Sequence, residues 1–142
     1  MVEAEGTFLR ISEGMSYAAR VRVQVQFDRN GPLFLTDCAG QPTSSQGDIE
    51  EATGTGYKDW KQGAEAGVRH ALRVAKKEQY CVRVTHIVGI TTDTNPTIVG
   101  AAAIQAVWQA IDYTPLPAEV ARLESIVFGS WQKANDFVPD FG

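Results

Sequence analysis

The sequence is poor in the residues that most often announce a chemistry. Its 142 residues hold two cysteines and two histidines. No HxxxH, HExxH or second Cys/His cluster accompanies them, so no zinc or iron centre is expected and no metal ligands are assigned. No GxxxxGK[ST] occurs, which excludes a P-loop nucleotide site, and no GxSxG marks a nucleophile elbow. Basic residues are outnumbered, 13 to 17, giving a net charge of −4 and a pI near 5.1. That balance argues against a broad nucleic-acid surface, because counterion release needs clustered Lys and Arg. No run of about 18 apolar residues exists, so no transmembrane helix is expected. The opening, MVEAEGTFLRISEG, is acidic and lacks a basic stretch followed by an apolar one. A secretory signal is therefore not expected, and a cytoplasmic location is. A reducing compartment would leave Cys38, in a polar loop, and Cys81, opening a strand, as thiols; a bridge between them is the alternative.

What is present is the pattern of an ordinary globular domain. Hydrophobic content is 44% and charged content 21%, close to the globular average. From Ala18 to Phe27 the chain alternates: Ala19, Val21, Val23, Val25 and Phe27 against Arg20, Arg22, Gln24 and Gln26. Period two with β-branched residues is a strand with one face buried and one wet. Thr7 to Ile11 reads as an earlier strand, turned by Ser12-Glu13-Gly14-Met15. Asn30-Gly31 reads as a hairpin turn that returns Pro32 to Thr36 as a third, antiparallel strand. Residues 37–57 have many turn formers and few large apolar residues, and are expected to be a long polar loop.

Trp60 to Lys77 is expected to be a helix with Trp60, Ala64, Val68, Ala71, Leu72 and Ala75 inward. Val82, Val84 and Val88 mark a fourth strand, with His86 placed in phase with them. Asn95 and Pro96 then form a helix start, the first as N-cap and the second at the first helical position. The Ala- and Gly-rich stretch Thr97 to Ile111 follows and should be mostly buried. Ala118 to Lys133 reads as an appended third helix and 135–142 as a tail. The expected fold is one α+β domain over residues 1–134. It is a two-layer sandwich, with an about four-stranded, mostly antiparallel sheet, two helices on one face and the C-terminal helix added.

Three stretches now resemble a known family. Residues 88–97, VGITTDTNPT, with the Ala-rich helix after them, look like the strand, tip loop and long helix of domain IV of translation elongation factor G. The stretch YKDWKQGAEAGVRHAL resembles that domain's first helix, and Val21, Val23 and Val25 its long second strand. The resemblance covers roughly residues 6–113. It implies the fold shared with the second domain of small-subunit ribosomal protein number five, including a left-handed βαβ crossover, an exception to the usual rule. In the family, a basic first loop and a tip histidine reach RNA. Here the matching loop carries Glu13 and no Arg or Lys, and Thr92, beside Asp93, stands at the histidine's position. These loops offer RNA phosphates the wrong charge.

The functional expectation is a non-enzymatic interaction module that binds a protein partner or a second copy of itself, with no cofactor. Its candidate surfaces are the tip (Thr91, Thr92, Asp93 and Asn95), the long loop, and the terminal aromatics Trp131 and Phe137, which either dock on their own sheet or anchor a partner. A small enzyme is the alternative, with His86 and Asp93 near a cleft and Cys38 nearby; a core position is the plainer reading of His86. Weak RNA binding through Arg20 and Arg22 is a second alternative, against a solvated sheet face. His70 reads as part of a wet helix face. Ser44, Ser45, Asp48 and the acidic Glu50-Glu51 read as loop polarity, and Gly54-Thr55-Gly56 as a faint echo of a phosphate loop.

Overall fold

Val21, Val23 and Val25, with 0–3% of their surface exposed, form the spine of the sheet around which the chain is built. The computed structural model describes residues 1–40, 49–134 and 137–142. Among the described residues five strands and three α-helices follow in the order β1 (Val2–Ser12), β2 (Met15–Phe27), β3 (Leu33–Thr36), β4 (Ile49–Glu51), α1 (Lys58–Ala75), β5 (Tyr80–Ile90), α2 (Pro96–Ala110) and α3 (Pro117–Phe128). A 3-10 turn, Ser130–Gln132, follows α3. The sheet runs β1-β2-β5-β3, with β4 also pairing β5. It is a mixed, mostly antiparallel sheet with helices packed on one face, the α+β sandwich that the patterning predicts.

β1 and β2 form a long hairpin whose register pairs Ser12 with Met15. Its two turn residues, Glu13 and Gly14, both lie at positive φ (52° and 78°), the conformation that matches strand twist in a two-residue turn. Asn30-Gly31 does not repeat this, and the expected third antiparallel strand is corrected: β3 runs parallel to β5, with Phe34 opposite Val82. Both edges of β2 are already taken, by β1 and by β5. Asp28 instead turns the chain across the end of β5, its carboxylate accepting from Asn30 N at 2.9 Å while its own N–H donates to the Gln79 carbonyl. The expected loop at 37–57 is corrected too, since it contains a strand: β4 pairs antiparallel with β5, Ile49 opposite Ile90. Ser44, Ser45 and Asp48 lie outside the described residues.

α2 is the centre of the molecule. Every residue from Pro96 to Ile104 is buried, because the sheet, α1 and the C-terminal segment all close on it. Asn95 caps it as expected, its Oδ1 accepting from Ile98 N at 2.9 Å. A Cβ on Gly67 would collide with the Gly100 carbonyl, one on Gly63 with that of Pro96, and one on Gly6 of β1 with that of Ala102. Backbones therefore touch directly on two sides of α2.

The C-terminal segment docks rather than hanging free. Phe141, 2% exposed, lies near Gly100 and 5.7 Å from the His70 ring. This corrects the wet-face reading of His70, whose ring is also 6.5 Å from that of Trp108 and whose Nδ1 is buried with no partner among the described residues. Burial, reinforced by the nearby Arg73 and Arg122 guanidiniums, lowers its proton affinity below the ordinary value near 6.5. Cys38 is likewise not a wet loop residue. It is buried, its Sγ 3.7 Å from the Val84 carbonyl; burial raises its thiol pKa, and both cysteines are free thiols.

Two outcomes follow. Gly67→Ala should cost about 1–3 kcal/mol, the usual penalty of overpacking, read as a lower urea midpoint. Unfolded His70 takes up a proton before folded His70 does. Its contribution is therefore complete above about pH 6.5 and is lost as pH falls through the lower folded value. A His70→Gln variant should lose less stability than wild type between neutral and mildly acidic pH, measured by thermal melts.

Candidate interaction surface

The two helix starts emerge side by side, because Gly63 of α1 rests on Pro96 of α2. Beside them stands the tip loop between β5 and α2. Its backbone is fixed from within: Thr94 Oγ1 accepts from Ile90 N at 2.8 Å and donates to the Ala18 carbonyl, and Ala18 N donates to the Asp93 carbonyl. Asn95 uses its remaining side-chain group on Ser130 Oγ, 2.9 Å away and buried. Asn95 is thus spent on structure. Trp131 is half-buried and donates Nε1–H to the Ser16 carbonyl at 3.2 Å, so the terminal aromatic docks on its own sheet while still lining the tip.

Glu50 ties this end together. Its carboxylate accepts Tyr57 OH at 2.8 Å on one oxygen and Thr91 Oγ1 at 2.6 Å on the other. The Tyr57 hydroxyl holds its proton above the ordinary phenol range, through desolvation and then the bond to Glu50. Tyr57 opens α1 in the left-handed region (φ 63°) without a side-chain cap, and its ring lies 4.8 Å from that of Trp60. The result is a cleft of about 460 Å³ lined by Glu50, Tyr57, Lys58, Asp59, Trp60, Thr91, Thr94, Asn95, Pro96 and Trp131. Three of the sequence candidates, Thr91, Asn95 and Trp131, converge here. Thr92 and Asp93 do not line it; Thr92 Oγ1 donates to Asp93 Oδ1 at 3.0 Å on the outer side of the loop. Phe137 stands elsewhere, under the Lys133 ammonium.

The open face of the sheet holds the remaining candidates. β5 carries a bulge: Arg22 pairs with His86 but the next residue, Val23, pairs with Val84. Thr85 is the extra residue, and the phase expected for His86 is corrected. Ile87, not His86, continues the buried row of Val82 and Val84. His86 lies half-buried on the open face, its Nδ1 2.9 Å from Thr85 Oγ1. Arg22 bonds Glu5 at 3.1 Å and Arg20 approaches the same carboxylate at 4.0 Å. Further along this face a groove of about 270 Å³ opens among Leu9, Ala18, Ile49, Val88 and Ile90. His86 and Asp93 line neither this groove nor the tip cleft. Among the described residues no cluster of three or more His, Cys, Asp or Glu could hold a metal ion, and no helix is long and apolar enough to cross a membrane.

Sequence reasoning missed Tyr57; Trp60, which it placed in the core, is half-buried against the core and also lines the cleft. The signal for both was the dense aromatic start of α1, Tyr57-Lys58-Asp59-Trp60. It also missed the apolar groove, although Leu9 and Ile11 fall in phase with Glu3 and Glu5 rather than with Phe8.

No family model matches the chain, and no curated protein does. Solved structures do. The crystal structure of ttk003000868 from Thermus thermophilus superposes on 87% of the chain with a TM-score of 0.60 at 14% identity. The likeness is one of fold. The chain spans 20% of that protein's length. A crystal structure of mevalonate kinase matches 92% of the chain and 46% of its own, with a TM-score of 0.46 at 12% identity.

Tyr57→Phe removes one of the two bonds on Glu50 and leaves the ring. It should cost about 1 kcal/mol or less, measured by urea denaturation.

Proposed function

We propose that this chain is an interaction module, on a scaffold resembling domain IV of elongation factor G, that binds a protein partner through the cleft at its tip. The observation that carries this reading is the convergence of Tyr57, Trp60 and Trp131 on one cleft beside the tip loop. Aromatic side chains are the usual anchors of protein interfaces, because they bury much area at little rotamer cost. All three are partly exposed. The Glu50 bonds hold the wall of the cleft before any partner arrives, which reduces the ordering cost of binding. Lys58 and Asp59 put both signs of charge on the rim, a mixture suited to a protein surface and poorly suited to a phosphate backbone. Arg20 and Arg22 share Glu5, which also weighs against nucleic acid.

A photoreactive benzophenone side chain in place of Lys58 tests this. It should give a discrete adduct in native lysate, while the same group at exposed Arg69, on the far part of α1, should not. Absence of an adduct at position 58, or equal labelling at both, refutes the reading.

A further inference from the structure

β1 is an edge strand of unusual length for one left open. It pairs with β2 over its whole span, Val2 opposite Val25 through Ser12 opposite Met15, without a register shift. Nothing among the described residues pairs with its outer side. The opposite edge of the sheet is broken between the short β3 and β4, both on β5. Long regular edges are usually blunted by charged side chains, proline or bulges; β1, VEAEGTFLRIS, has no proline, bulge or lysine, and its charges are Glu3, Glu5 and Arg10.

Its open-face side chains divide in two. Glu3 and Glu5 are engaged within the sheet, Glu3 with Gln24 at 3.2 Å and Glu5 with Arg22. Leu9 and Ile11 are 64% and 79% exposed. Leu9 stands opposite Ala18, and Ile90 opposite Ile49, so an apolar row crosses the sheet and ends at the free edge.

We infer that the occupant of this edge is a second copy of the chain, paired β1 to β1 antiparallel about a two-fold axis at Leu9. The side-chain pattern selects that register. Centred on Leu9, the pairing sets Leu9 against Leu9, Thr7 against Ile11, Phe8 against Arg10 and Gly6 against Ser12; Glu3 and Glu5 lie beyond this segment, Glu5 abreast of the second copy's turn residue Glu13 but already neutralised by Arg20 and Arg22. Centred on Thr7, the same strands would bury Glu5 against Leu9 and Glu3 against Ile11. Centred on Glu5, they would set like charges opposite each other, which is destabilising. In the Leu9 register the two apolar rows join end to end across a continuous sheet. The proposal does not depend on the tip cleft, which is on different residues.

Sedimentation equilibrium of the full chain tests it. Wild type should show a monomer–dimer equilibrium. Leu9→Lys and Leu9→Glu, at an exposed position, should each weaken association by about tenfold or more with unchanged circular dichroism. Mixing the two should restore a heterodimer, because the axis places the opposite charges face to face. If either variant fails to fold, Ile11→Lys provides the same reading against Thr7. A wild type that stays monomeric at the highest soluble concentration, a dimer indifferent to these substitutions, or a mixture that does not reassociate overturns the proposal.

Discussion

The close approach of backbones around α2 is the constraint on which the rest of the structure depends. Small residues on this helix let α1 approach until Gly67 and Gly100 meet main chain to main chain, and let β1 approach over Gly6. Such contacts have no side chains to adjust, so the spacing is fixed by main-chain atoms alone, and a dense interior transmits any error. The candidate cleft inherits this precision. The rings of Tyr57 and Trp60 reach the same cleft as the start of α2 only because Gly63 sits directly on Pro96. Phe141 then covers Gly100 from a third side, so the C-terminal segment is part of the same packing unit.

Charges on the open sheet face are arranged to cancel locally. Glu5 serves Arg20 and Arg22, Gln24 bonds Glu3, and Arg83 meets Asp37 at 3.2 Å. Exposed pairs of this kind add little to stability. Their larger effect is on what the face can attract: one end is polar and nearly neutral, the other apolar.

Features that local chemistry dictates were legible in the sequence. The valine alternation of β2, the Ser12–Met15 turn and the Asn95-Pro96 helix start each depend on neighbours a few residues away, and each is present. Features set by distant strands were not legible. β3 could not be placed without knowing that β5 would already occupy the second edge of β2. β4 was hidden in turn-rich sequence because its pairing partner, the end of β5, supplies the order. Of the candidate site, Thr91, Asn95 and Trp131 were legible from loop polarity and terminal aromatics. Glu50 and Tyr57 were not, because their importance is a hydrogen bond to each other across the start of α1.

The bulge at Thr85 has the character of a frameshift within one strand. Up to Val84, even-numbered residues of β5 face the helices; after it, odd-numbered Ile87 and Gly89 do. The strand is thus read in two frames, and the residues beyond the bulge answer to a different rule from those before it. Because the change of frame is confined to one residue, the apolar end of the open face can vary in sequence without any matching change at its charged end. Two surfaces on one sheet are in this way free to evolve separately.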